Sequence, residues 1–205
     1  MTGIILLDKP NNITSFSAVN RVRRLLSVKK AGHTGTLDPM ATGVLPIALS
    51  NCTRFIDLLP VHDKGYVATA KFGVTTDTLD STGTVLSESE VNATREQLES
   101  VLEKYTGEIE QIPPMYSAIS KDGKRLYELA RQGIEIEREA RKITIYSLSL
   151  GSFDGDCFSI SVECSAGTYI RSLIDDIGKD LGCGAIMTDL RRTSANGFSI
   201  SNCVT

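Results

Sequence analysis

Long apolar runs are missing from this 205-residue chain. The first, Ile4 to Leu7, stops at Asp8 and is far too short for a signal peptide or a membrane span. No stop-transfer segment follows, so the sequence predicts a soluble, cytoplasmic protein. Metal-ligand patterning is missing too. The five cysteines (Cys52, Cys157, Cys164, Cys183 and Cys203) are odd in number and never fall as Cys-x-x-Cys, and His33 and His62 are the only histidines. That excludes the usual zinc and thioredoxin spacings and points to reduced thiols in a reducing compartment, with no metal. Repeats, low-complexity tracts and Gly/Ser linkers are absent as well, which predicts one continuous domain.

Net charge is small, −3, but it is unevenly placed. Residues 1–54 carry seven basic and two acidic groups, residues 55–110 four and eleven, and residues 111–142 seven and five. A polyanion responds to the local field rather than to the total. Taken alone, such charges read as solvated helix faces.

What is present is a mixture of strand and helix signals. Gly3 to Leu7 reads as a short buried strand ending at Lys9-Pro10. Thr14 or Ser15 can cap a helix to about Ser27, with Phe16, Val19, Val22 and Leu26 on one face. Residues 31–43 read as a glycine-rich loop, followed by strands at Val44 to Leu49 and Tyr66 to Phe72. Thr94 to Gln97 is a capping box that opens a helix through Leu98, Val101, Leu102 and Tyr105. Phe158, Ile160, Val162 and Cys164 alternate with polar residues as in a half-buried strand, and Ile170, Leu173, Ile174, Ile177 and Leu181 have helical spacing. The pattern predicts a mixed α/β (α+β) fold with much antiparallel pairing.

The densest chemical signal is Gly32-His33-Thr34-Gly35-Thr36-Leu37-Asp38-Pro39-Met40-Ala41-Thr42-Gly43. Three glycines with a histidine and an aspartate suit a loop that presents polar side chains. A plainer reading is that Asp38 makes a turn before Pro39 and His33 caps a neighbour. The loop lacks the Gly-Lys-Ser/Thr ending of a phosphate-binding P-loop.

That stretch, GHTGTLDPMATGVLPIAL, preceded by GIILLDKPNNITSFSAVNRVR, closely resembles the TruB-type tRNA pseudouridine synthases. Further matches follow in order at 63–83, 112–141, 165–185 and 190–200, so the resemblance covers essentially the whole chain. It implies a pseudouridine-synthase fold, a largely antiparallel mixed sheet flanked by helices. Residues 1–205 would form the catalytic domain, with 112–141 as a thumb-like segment that closes over RNA. The small C-terminal RNA-binding domain of bacterial members is expected to be absent from this span.

The resemblance also assigns residues. Asp38 matches the catalytic aspartate, Arg171 in GTYIR the arginine that pairs with that carboxylate, and Tyr66 the tyrosine that stacks on the target base. Tyr169 and Leu190 match residues lining the uracil pocket, and His33 matches the histidine that holds the target nucleotide flipped out. Lys124 and Arg125 in the clamp segment, with Lys29, Lys30, Lys121 and Arg131, are expected on phosphates, as is Arg192 beside the pocket. His62 is expected in a surface loop with no role. Each also has an ordinary reading: Tyr66, Tyr169 and Leu190 as packing, Arg171 as a partner of Asp175 or Asp176, Arg191 and Arg192 as surface charge.

The reaction implied is isomerisation of the T-loop uridine, position 55, of tRNA. The bond from ribose C1′ to uracil N1 breaks, the base turns, and a bond to C5 forms. No redox step or group donor is involved, so no cofactor is expected. One carboxylate suffices, whereas a glycoside hydrolase usually has a second to activate water. Burial would raise the Asp38 pKa, and an adjacent Arg171 would oppose that. The expected partner is tRNA through its T-arm stem-loop, with no protein partner and a monomeric enzyme. Two other readings are a tRNA-folding module that needs no catalysis and a guide-RNA-dependent synthase of the dyskerin type. The second is disfavoured because 112–141 looks bacterial.

Overall fold

The apolar opening of the chain forms a strand that ends where Pro10 removes a backbone donor. In chain order the elements are β1 (Gly3–Lys9), α1 (Ser15–Leu25), β2 (Ala31–His33), β3 (Thr42–Leu49), a 3₁₀-helix (Ser50–Leu58), β4 (Lys64–Phe72), β5 (Val74–Thr76) and β6 (Val85–Glu88). There follow α2 (Arg95–Lys104), β7 (Gly107–Gln111), β8 (Ser120–Lys121), β9 (Lys124–Arg125), α3 (Leu126–Ala130), β10 (Arg141–Phe153), β11 (Cys157–Cys164), α4 (Ile170–Asp180), β12 (Ala185–Ala195) and β13 (Phe198–Ser199). The computed structural model covers Met1–Thr205, of which Asp122 and the side chain of Lys121 lie outside the described residues.

The chain forms two compact units. The first comprises residues 1–67, 162–166 and 189–205, the second residues 68–161 and 167–188. In the first unit β1 runs antiparallel along one edge of β3, from Gly3 opposite Leu49 to Lys9 opposite Gly43. The other edge of β3 takes β2, with His33 opposite Ile47, and then β12 in parallel, with Arg191 opposite Thr42 and Arg192 opposite Gly43. Thr14 caps α1 by accepting the amide of Ser17, and the helix lays Ala18 and Val19 on Leu45, Ile47 and Leu49. Each such burial contributes about 1.5–3 kcal/mol for a large aliphatic side chain. Phe16 is not on this face. It is 72% exposed, because the buried stripe runs through Ala18 and Val19.

The second unit repeats the antiparallel habit. β10 pairs with β7 from Arg141 opposite Gln111 to Ile145 opposite Gly107, and β5 pairs with β6. The capping box at Thr94 and Gln97 is present, and the helix it opens buries Leu98, Val101 and Leu102. Helix α4 buries Ile170, Leu173, Ile174 and Ile177, and the rings of Phe72 and Phe158 stack at 4.4 Å. Segment 112–141 has its own small core of Met115, Leu126 and Leu129, beside the β8–β9 hairpin.

Candidate active site

In the first unit the loop between β2 and β3 is held from several sides. The stretch expected to be loop is shorter than the sequence suggested, since Ala31–His33 pairs with β3 and Thr42 already begins that strand. The carbonyl of Asp38 accepts the amide of Ala41 at 3.1 Å, closing a tight turn over Pro39. Ser15 at the start of α1 holds the preceding residue twice, donating to the carbonyl of Leu37 at 3.0 Å and accepting its amide at 2.8 Å.

Two buried cations complete the arrangement. Lys9 is fully buried at the end of β1 and donates to the carbonyls of Pro10, Ile13 and Pro39 at 2.9, 2.8 and 3.2 Å. Burial pushes its pKa down to about 8; the Asp38 carboxylate opposes that shift and the Arg192 charge adds to it. Arg192 is fully buried as well. Its Nε donates to Val44 at 2.7 Å, and its Nη1 and Nη2 donate to the carbonyls of Thr36 and Gly35 at 3.3 and 3.2 Å. The Arg192 backbone also lies so close to Gly43 that a side-chain carbon there would stand 2.1 Å from the Arg192 carbonyl oxygen. Gly43 also has a φ of +105°, so only glycine fits.

Arg192 therefore does not sit where a phosphate could reach it. The expected role in RNA contact is corrected: its donors are spent on the aspartate loop, because a guanidinium with no solvent access must bond to whatever acceptors enclose it. Its neighbour Arg191 turns outward and pairs with Asp8 through two bonds, at 2.7 and 3.2 Å.

Tyr66, on β4, is buried, and its hydroxyl is hydrogen-bonded to the Arg192 guanidinium. Burial pushes the phenol up to about 12, with Arg192 opposing. At neutral pH the phenol is therefore protonated and neutral. His33 ends β2 with Nδ1 buried and without a hydrogen-bond partner. Burial lowers its pKa and the Arg192 charge adds to that, which favours the neutral imidazole. Leu190 is buried at 6% exposure. The first unit thus brings Asp38, Tyr66 and Arg192 within electrostatic reach of one another.

The second unit holds Arg171, Tyr169, Lys124 and Arg125. Arg171 lies in the first turn of α4 and is 6% exposed. It donates to the carbonyls of Thr78 at 2.9 Å and Tyr116 at 2.8 Å and pairs with Asp80 at 3.7 Å. Asp175 and Asp176 face Lys179 instead. Asp80 is itself fixed, since one carboxylate oxygen accepts from the Thr78 hydroxyl at 2.8 Å and from the amide and hydroxyl of Thr82 at 2.9 and 2.6 Å. Tyr169 stands at the N-cap of α4, where the Gln111 side chain takes its amide at 2.8 Å and gives to its carbonyl at 3.0 Å.

Lys124 and Arg125 are exposed on the hairpin. Arg125 is partly committed, because its guanidinium donates to the Ala118 carbonyl and its amide to Glu128. Arg131 lies over the Tyr127 ring at 5.4 Å. The Lys121 side chain, also expected on phosphates, lies outside the described residues. His62 is exposed in a loop. Sequence reasoning missed Lys9, Asp80 and Gln111. Lys9 had a visible signal, a cation closing an apolar strand directly before proline.

An antiparallel-rich mixed sheet carrying an aspartate on a pinned loop is the architecture of the RNA pseudouridine synthases, enzymes that isomerise uridine within an RNA chain. Comparison with known proteins supports this and narrows it. The model of the TruB family pseudouridylate synthase N-terminal domain matches residues 23–170, and that of the tRNA pseudouridylate synthase B C-terminal domain matches residues 171–205. Proteins named tRNA pseudouridine synthase B from an Azoarcus strain and from Pseudomonas fluorescens are 55% and 53% identical over 99% and 100% of this chain, which spans 68% and 67% of theirs. Among solved structures, a Cbf5-Nop10-Gar1 complex matches with a TM-score of 0.74 and 34% identity, over 94% of this chain and 48% of that one. The chain belongs to the TruB family of pseudouridylate synthases.

Proposed function

We propose that this chain converts uridine 55 in the T loop of tRNA to pseudouridine. The observation that carries the reading is the pinned Asp38 turn beside the buried Tyr66, on a chain 55% identical to a tRNA pseudouridine synthase B. A uridine inside a folded loop must first leave its stack, at a cost of roughly a few kcal/mol. Stacking on the neutral Tyr66 ring returns about 1–3 kcal/mol. The family resemblance assigns Leu190 and Tyr169 to contact with the uracil, and His33 to holding the target nucleotide flipped out.

The Asp38 carboxylate then acts at the ribose as the N1 bond breaks, and it is released when C5 takes the place of N1. The C5 proton leaves as the product forms and the freed N1 takes up a proton, so the base is rearranged with no net change in composition. Arg171 is the guanidinium assigned to the carboxylate by the family resemblance, and Asp80 holds it in orientation. Lys29, Lys30, Lys124 and Arg125 meet phosphates, so affinity falls with salt. The reading extends to a monomer in the cytoplasm that needs neither a guide RNA nor a protein partner. The 55% identity to a protein named tRNA pseudouridine synthase B supports this.

The test is tritium release from tRNA transcripts carrying [5-³H]uridine, with Asp38→Asn as the paired variant. Stoichiometric release by the wild type alone, with tRNA still bound by the variant, is the expected result. Binding without release from either protein would overturn the enzymatic reading and leave a tRNA-folding module.

A further inference from the structure

The 3₁₀-helix at Ser50–Leu58 has three residues per turn, so residues three apart stack in columns along it. One column turns inward: Thr53 and Ile56 lie within 3.9 and 3.6 Å of where a side chain on Gly32 would begin, on the strand that ends in His33. A second column, Asn51 and Arg54, lines a cavity of about 360 Å³ together with Lys29, Lys30, Ser27 and Met1. No carboxylate is among its described lining residues. The third column ends in Phe55 and Leu58, which are 57% and 72% exposed. The first unit therefore presents an uncovered aromatic ring on the same short helix whose Arg54 lines a cavity with Lys29 and Lys30.

We propose that this edge is a second RNA-docking surface, on which Phe55 stacks with an unpaired base of the tRNA other than the target uridine. Leu58 flanks that base, and Lys29, Lys30 and Arg54 hold the adjoining phosphates. The inference rests on the reading of the chain as a tRNA-modifying enzyme. Charge selects the occupant: a cationic cavity with no carboxylate among its described lining residues, on the same helix as a bare ring, matches a phosphate chain with a base splayed from it. A protein partner would have to bury three cations without a counter-charge in the cavity wall.

The experiment measures Kd, KM and kcat for tRNA, and Kd for an isolated T-arm hairpin, with Phe55→Ala, Phe55→Trp and Arg54→Ala. Phe55→Ala is expected to raise Kd and KM for tRNA about 5- to 100-fold, with the effect falling in KM rather than kcat. Phe55→Trp restores both values. Arg54→Ala lowers the slope of log K against log salt by about one, which Phe55→Ala does not. A loss with both RNAs places the base within the T arm, and a loss with tRNA alone places it outside; either supports the surface. Unchanged affinity of Phe55→Ala for both RNAs overturns it, as does an effect confined to self-association in sedimentation. Failure of the wild type to bind tRNA at all would instead remove the proposed function.

Discussion

Two adjacent arginines offer a sharp test of where stability resides. Arg191 and Arg192 sit side by side on β12, yet the first is 41% exposed at its side chain and the second is not exposed at all. Replacing each by methionine keeps the bulk and removes the guanidinium. At position 191 the loss is an ion pair with Asp8 in partial contact with water, worth about 0.5–1 kcal/mol. At position 192 three carbonyls lose their donor, that of Val44 in a buried bond and those of Gly35 and Thr36 in partly buried ones.

The bare Val44 carbonyl costs about 2–3 kcal/mol and each of the two partly buried ones about 1 kcal/mol, hence roughly 4–5 kcal/mol gross. Part is offset because a cation no longer has to be buried, a penalty visible in the lowered Arg192 pKa. The net is about 3 kcal/mol. For a domain of this size, 1 kcal/mol moves Tm by roughly 2–4 °C. Arg191→Met should therefore melt within about 4 °C of the wild type, and Arg192→Met about 6–12 °C below it. Far-UV circular dichroism is the suitable probe, as the chain has no tryptophan. Equal losses, or a larger one at position 191, would refute the assignment of Arg192 as the pin of the aspartate loop.

Two further outcomes follow from buried charges. Asp80→Ala removes the partner of Arg171 and the acceptor of the Thr78–Thr82 turn. Single-turnover tritium release should fall about 100-fold, the usual effect of a misplacement near 1 Å, while tRNA affinity holds; a wild-type rate would show that Arg171 needs no orientation. Lys9 has a folded pKa near 8 against 10.5 when exposed. Between those values the unfolded chain binds more protons, so stability rises with pH from about 8 to 10.5, by up to about 3 kcal/mol. Urea melts of Lys9→Met should lack that rise, and parallel curves for the two proteins would show that Lys9 titrates normally.

Much of the fold was legible because local signals agree with the final packing. Thr14 and Thr94 cap the helices that their spacing announced, and residues 158–164 alternate in burial as they alternate in polarity. Phe16 failed because helical periodicity fixes a stripe only to within one residue, and small Ala18 packs closer than a ring could. Asp38 and Arg171 stood out as members of long motifs. The true place of Arg192 did not, since a pair of arginines reads the same whether it faces water or carbonyls. That distinction comes from a parallel contact between Gly43 and Arg192, distant in sequence. Lys9 and Asp80 were hidden for a related reason: Lys9 bonds to backbone carbonyls, and Asp80 to a turn amide, hydroxyls and an arginine remote in sequence, none of which marks the local spacing of charged residues.

The three carbonyls that Arg192 holds lie 148 to 157 residues earlier in the chain. During translation at about 5–20 residues per second, roughly 8–30 s separate the emergence of the aspartate loop from that of its clasp. A nascent chain thus carries the Asp38 carboxylate on an unset loop until β12 has emerged. The loop takes its final form only when β12 docks, so the geometry around Asp38 is set by a contact made long after the loop itself has left the ribosome.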